Sequence, residues 1–254
     1  MKIGLFIPCF MNELYPNICK ATYNLLKSQN LQIEYPLSQT CCGQPMANSG
    51  CSKDVKTLAI NFVNTFKDYD YIVAPSGSCV SMVKEHYSEF FDNDKDFNKV
   101  KASIYEVCEF LHDIVKIENL NFNISFPYKV GVHNSCHGHR VLKLATASEL
   151  NIPYDSKLKN LLNKISDIQM VTLRREDECC GFGGTFSVAE EAVSVAMGKD
   201  RIKDHIDSSA QIITGADMSC LMHMDGIINR DKNPIKVMHI VEILTGVRPW
   251  VFTV

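Results

Sequence analysis

The chain has 254 residues, 46% hydrophobic and 22% charged, with a formal net charge of −3. That is the profile of one large or two smaller globular domains, and the lack of a basic surplus argues against nucleic acid or an anionic membrane surface as a partner. Eleven cysteines are many for a chain that opens with MKIGLFIPCF, an apolar run too short and too soon interrupted for a signal peptide or membrane helix. The expected location is the cytoplasm, where clustered cysteines bind metal or do redox chemistry more often than they form disulfides.

In chain order, KIGLFIP (2–8) reads as a strand buried on both faces. A helical pattern follows at 16–28, then the strand-like LQIEYPL (31–37). Residues 52–67 place Val55, Leu58, Ala59, Phe62, Val63 and Phe66 on one helical stripe. DYIVAPSG (70–77) is a third strand, and FFDNDKDFNK (90–99) reads as a surface loop. ENLNFNISFP (118–127), polar and proline-ended, divides the chain into halves of 1–120 and 127–254. The second half echoes the first: a strand YKVGVHN (128–134), a helix from about 138, a strand IQMVTL (168–173), a helix at 187–204 and a strand AQIITGA (210–216). Strands alternating with helices imply mainly parallel sheets with right-handed crossovers. The fold class is α/β, with two pseudo-symmetric Rossmann-like halves.

Eight cysteines follow the same duplication. Cys9, Cys41, Cys42 and Cys79 recur as Cys136, Cys179, Cys180 and Cys220; 31 and then 42 residues separate the single cysteine from the pair, and 36 and then 39 separate the pair from the last. Such recurrence marks an internal repeat. Each cysteine lies just past the carboxyl end of an expected strand, the edge where open parallel sheets bind ligands. Cys19, Cys51 and Cys108 have no cysteine neighbours and are expected to be core residues in helices.

The vicinal pairs Cys41–Cys42 and Cys179–Cys180 suit a polynuclear centre better than one tetrahedral zinc, whose cysteines are usually spaced as C-x₂₋₄-C. Gly43 and Gly181, next in line, can adopt backbone angles that bring main-chain N–H groups toward sulfur. Gly181–Gly184 opening a helix also suggests a phosphate loop, although no full fingerprint is present. His137 and His139 read first as helix-start surface residues and second as ligands or partners of ligands. Arg140 is a candidate to pair with a substrate carboxylate or with the charge of a centre, and His223 a candidate partner of one. His239 is expected to pack structurally, and the EDE run at 176–178 to be solvated surface.

The repeated C…CCG…C pattern resembles the tandem cysteine-rich CCG domain family, which includes the B subunit of heterodisulfide reductase and iron–sulfur subunits of several 2-hydroxy-acid oxidation systems. GVHNSCHGHR (131–140), ECCGFGGTFSV (178–188), MSCLMH (218–223) and VMHIVEIL (237–244) are most similar to the lactate-utilisation type. One departure is clear: where the heterodisulfide reductase subunit ends each half C-x-x-C, this chain has Ser76 before Cys79 and Asp217 before Cys220. Four thiols remain per half, which suits a four-cysteine cluster rather than the five-cysteine non-cubane type. The resemblance implies an iron–sulfur electron-transfer subunit, with one or two [4Fe-4S] clusters, in a complex with other subunits of a lactate-utilisation type that oxidises L-lactate to pyruvate. No flavin or nicotinamide fingerprint is present. Two alternatives are a thiol–disulfide protein cycling its vicinal cysteines, since vicinal disulfides are strained, and a zinc-stabilised interaction module.

Overall fold

The computed structural model describes residues 1–249; the last residues of the expected second half, to Val254, lie outside them. Two compact units divide the chain, Met1–Phe110 and one beginning at Leu111. The first contains β1 (Lys2–Leu5), α1 (Cys9–Leu14), α2 (Pro16–Ser28), β2 (Gln32–Glu34), α3 (Gln44–Asn48) and α4 (Ser52–Phe66). It continues with β3 (Tyr71–Ala74), α5 (Gly77–Ser81), α6 (Lys95–Ser103), β4 (Ile104–Glu106) and the single turn α7 (Val107–Glu109). The second contains β5 (Lys129–Val132), α8 (Lys157–Leu162), β6 (Gln169–Met170), α9 (Phe186–Ala189) and α10 (Glu191–Asp207). Then come β7 (Ile212–Gly215), α11 (Met218–Arg230), β8 (Lys236–His239) and α12 (Ile240–Leu244).

The sheets are all parallel and have the same topology, β2-β1-β3-β4 and β6-β5-β7-β8. In each, the second strand lies to one side of the first and the third to the other. The crevice where a doubly wound sheet binds ligands therefore opens between β1 and β3, and between β5 and β7. Registers agree as well: Leu5 pairs with Val73 and Val132 with Thr214. One residue on, Phe6 N–H donates to Val73 O at 2.9 Å and His133 N–H to Thr214 O at 2.7 Å. Phe6 and His133 thus occupy equivalent places.

The helices that cover the equivalent faces differ. The stripe of α4 buries Val55, Ala59, Phe62, Val63 and Phe66, and Phe6 packs edge-on against Phe62 with ring centroids 4.8 Å apart. The inner face of α10 instead buries Ser194, Gly198, Arg201, Ile202, Asp204 and His205. The first unit has an apolar wall here and the second a polar one.

Several expectations are corrected. All six expected strands are shorter than read, and each sheet gains a fourth strand, β4 and β8, whose three- and four-residue runs are too short for periodicity to reveal. Residues 90–99 are not all loop: Asp94 caps α6 by accepting from Phe97 N–H at 2.8 Å, and buried Phe97 stacks on Phe91. The helix at 187–204 is broken at Glu190, which separates α9 from α10. Cys19 and Cys108 are buried as expected, but Cys51 is exposed at the start of α4. His139 is buried rather than on the surface, its Nδ1–H donating to Ser135 O at 2.8 Å. The EDE run is partly buried, with Glu176 accepting from Lys159 Nζ at 2.6 Å and Asp177 from Ser148 N–H at 2.8 Å. VMHIVEIL forms β8 and α12, and His239 caps α12 in a capping box with Glu242.

Candidate metal centres

Each unit gathers its four thiols at the crevice. Cys9 is the first residue of α1, four positions beyond β1, and Cys79 lies in the first turn of α5, beyond β3. Cys41 and Cys42 arrive from the loop after β2. In the second unit Cys136 follows β5, Cys179 and Cys180 come from the long loop after β6, and Cys220 is in the first turn of α11. Helix N-termini favour thiolate over thiol.

Ser76 and Asp217 stand where the resemblance leads one to expect further cysteines, and both are helix caps. Ser76 Oγ accepts from Cys79 N–H at 3.4 Å, and Asp217 Oδ1 accepts from Ser219 N–H at 3.2 Å. A capping oxygen satisfies an end-of-helix donor, so the departure has a local structural use in each half.

The sulfurs form the same chain of contacts twice. The Cys9 thiol donates to the Cys41 sulfur, and the Cys42 thiol touches both the Cys41 and Cys79 sulfurs. Likewise Cys136 donates to Cys179, and Cys180 touches both Cys179 and Cys220. Each quartet runs from solvent to core: Cys9 is exposed and Cys41 half-buried, while Cys42 and Cys79 are buried. In the second, Cys180 is buried and the other three are half-buried.

This packing favours a negative charge on Cys41 and on Cys179 and disfavours charge on the thiols that donate to them. Cys41 is held down to about 3, chiefly by the hydrogen bond from Cys42 and then by that from Cys9. Cys179 falls to about 2 through the bonds from Cys136 and Cys180. The donors move the other way: Cys9 and Cys42 are raised first by giving their hydrogen bonds to Cys41, and Cys136 and Cys180 by giving theirs to Cys179. Four thiolates in such contact would repel strongly at low dielectric. Full ionisation therefore requires positive charge among them, and soft thiolate donors select zinc, copper(I) or iron–sulfur groups. The residues present fit such a group.

The glycines do what the sequence suggests. Gly43 has φ +86° and Gly181 φ +87°, and their N–H groups donate to Cys41 Sγ and Cys179 Sγ, each at 3.3 Å. A Cβ on Gly181 would lie 2.6 Å from Ser194 O and 2.7 Å from Met197 Cβ, against 3.2 Å from a Val55 methyl for Gly43. Gly181→Ala is expected to cost on the order of 3 kcal/mol, from left-handed strain plus a collision with main chain. Gly43→Ala should cost roughly half that, because a methyl can yield. Thermal unfolding of the two variants checks the ranking.

The other candidates are placed as follows. His223 Nε2–H donates to Ser194 O at 3.3 Å. It lies beside Gly198, where a Cβ would be 2.9 Å from His223 Nε2 and 3.3 Å from Cys180 O. Arg140 is exposed and paired with Glu149 at 2.6 Å, and its charge also eases ionisation of Cys136. His137 is half-buried at the start of the π-helical turn His137–Val141.

Two side chains at the sites escape a search for ligand types, and a third, His133, is a histidine already close to Cys136 in the sequence. Tyr87 is fully buried, and its hydroxyl donates to Cys42 O at 2.9 Å, fixing the vicinal pair. Arg201 is fully buried; it donates to Asp204, to Arg175 O and Val132 O, and through Nε to His133 Nδ1 at 3.2 Å. Asp204 in turn accepts from Arg174 and Arg175 N–H, both at 3.2 Å, holding the loop that leads to Cys179. A ring nitrogen of buried His133 lies within 4.8 Å of the Cys180 and Cys220 sulfurs, which lie as close to each other. The signal for His133 in the sequence is its position, three residues before Cys136 as Phe6 is before Cys9.

Comparison with known proteins agrees with this duplicated architecture. The family model described as a cysteine-rich domain, CCG, matches residues 3–84 and 130–225. Lactate utilization protein A of Halalkalibacterium halodurans is 37% identical over 248 residues, 96% of either chain. Its namesake in Geobacillus sp. strain WCH70 is 38% identical over 250 residues, covering 97% of this chain and all of that one. Among solved structures, a hypothetical protein from Helicobacter pylori has a similar fold, with a TM-score of 0.60 at 11% identity. The match takes in 96% of this chain, which spans about half (48%) of that one. With two matched copies of the domain and relatives named lactate utilization protein A similar along nearly its whole length, the chain belongs to the CCG cysteine-rich domain family.

Proposed function

We propose that the chain is an iron–sulfur electron-transfer subunit of a cytoplasmic complex that oxidises L-lactate to pyruvate, its two cysteine-rich domains (1–120 and 127–254) each holding a [4Fe-4S] cluster. The observation that carries the reading is the twice-built quartet, in which Cys41 and Cys179 are favoured as thiolates while the thiols that donate to them resist ionisation without added positive charge. The ligands are Cys9, Cys41, Cys42 and Cys79 in the first domain and Cys136, Cys179, Cys180 and Cys220 in the second. When bound, such a cluster supplies one-electron transfer. Around it, Gly43 and Gly181 N–H groups stabilise the sulfur charge, Tyr87 immobilises the Cys41–Cys42 turn, and exposed Cys9 marks the side open to a partner. The names of the relatives carry the assignment to lactate, and the remaining subunits of the complex would supply the substrate-oxidising chemistry. Among the described residues no helix is long and apolar enough to cross a membrane.

Anaerobic reconstitution with ferrous iron and sulfide tests this. Iron and acid-labile sulfide should be taken up in equal amounts, and reduction should produce an EPR signal. Uptake of zinc without sulfide, or thiol-dependent redox activity in the metal-free chain, would replace the reading by one of its two alternatives.

A further inference from the structure

The two quartets are nearly copies, but their surroundings are not, and the difference is concentrated at one position. Phe6 and His133 are equivalent in the sheets, each following the first strand and bonded to the third. Phe6 meets the apolar stripe of α4 through Phe62. His133 meets the polar face of α10 through Arg201.

Arg201 decides the tautomer of His133. A guanidinium has five N–H donors and no acceptor, so the contact from Arg201 Nε at 3.2 Å requires Nδ1 to present its lone pair. The proton of the neutral ring must then be on Nε2. That atom is fully buried and has no hydrogen-bond partner among the described residues, an arrangement that costs free energy unless something accepts the proton. The Cys180 and Cys220 sulfurs, within 4.8 Å of a ring nitrogen of His133, are not in hydrogen-bond contact with Nε2 but are the acceptors it would meet at an occupied centre. Ligation of a metal through Nε2 would need the opposite tautomer, with Nδ1–H set against the Arg201 N–H.

Resting on the cluster reading above, we infer that His133 is not a ligand but a hydrogen-bond donor, through Nε2–H, to the sulfurs of the second centre, and that it holds that centre at a higher reduction potential than the first. One added electron increases the negative charge on the sulfurs, and a donor pointed at them favours the more negative form. Phe6 offers the first centre no such donor. The Cys136 quartet is therefore the easier of the two to reduce. Arg201 is a positioning residue, acting on the centre only through the ring it orients.

The test uses the full-length chain, reconstituted anaerobically with iron and sulfide and titrated potentiometrically with EPR detection. His133→Phe, which copies the first half, is expected to retain full iron while the second centre becomes harder to reduce. At a fixed potential its reduced-to-oxidised ratio should fall about tenfold, equivalent to ~59 mV for one electron. The first centre should not move. His133→Gln, which keeps an N–H donor, should recover part of the shift and guards against a folding defect in the Phe variant. Nitrogen NMR of the metal-free wild-type chain should show the Nε2–H tautomer. Loss of about half the iron in both variants would make His133 a ligand, and full iron with unchanged potentials would remove its tuning role; either overturns the inference, as does an Nδ1–H tautomer. A wild-type chain that takes up no iron overturns the reading on which the inference rests, and the NMR result still decides the tautomer.

Discussion

Cys180→Ser is expected to lose about half of the chain's iron and sulfide, and Cys42→Ser about the other half, because a serine hydroxyl is a poor substitute for a soft thiolate. Each replaced sulfur sits in the middle of its quartet. Cys42 touches the Cys41 and Cys79 sulfurs, and Cys180 those of Cys179 and Cys220. Removing the central thiol breaks the quartet where no neighbour can be moved in, since both positions are buried beside main chain held by Tyr87 or by α10. The fold should survive. Serine is nearly isosteric with cysteine, and its hydroxyl can donate to the thiolate the cysteine served, so the cost should stay near the 1–3 kcal/mol of a strained polar burial. Cys19→Ser is the control: buried in α2 and perturbed only by desolvation and its own backbone, it should leave iron unaltered. Iron, sulfide and circular dichroism on the same samples give the answer. If Cys42→Ser and Cys180→Ser both retain wild-type iron and sulfide, the vicinal cysteines are not ligands.

The second large effect is expected at Glu106. This carboxyl ends β4, is fully buried and accepts from Cys108 N–H at 2.6 Å through Oε2, while Oε1 has no partner among the described residues. Burial raises it from 4.5 to about 8, against the lowering effect of the Cys108 N–H. In the folded chain it therefore remains protonated where the unfolded chain has already released the proton. Between these two values the unfolded state binds fewer protons, so stability is greatest below pH 4.5 and is lost as pH rises through 8. Integrated over that window the loss amounts to about 4–5 kcal/mol at most. Glu106→Gln keeps the acceptor for Cys108 N–H and removes the titration. Denaturant unfolding at pH 5 and pH 9 should show the wild type losing stability on alkalinisation and the variant losing much less. Equal losses in both would mean that Glu106 ionises freely and is solvated.

The amino-acid sequence by itself determines the duplication and the chemistry of the sites. Alternating apolar runs and helical stripes imply parallel sheets whatever the packing, and eight cysteines in repeated order at strand ends must meet at one edge of each sheet. Both follow from local periodicity and chain connectivity. The short strands β4 and β8 carry too few residues for a period, and helix α6 begins inside a charged stretch that reads as loop until Asp94 caps it and Phe97 finds Phe91. The exposure of Cys51 and the burial of His139 depend on which side of an element meets its neighbour, which no single segment specifies. The most consequential difference between the halves is of the same kind. Phe6 and His133 are two residues among many in the sequence; only folding places them at the same point of two sheets, with an apolar helix over one and Arg201 over the other. Hydrogen-bond direction is a property of the pair, so the proton on His133 Nε2 was decided by a residue 68 positions away along the chain.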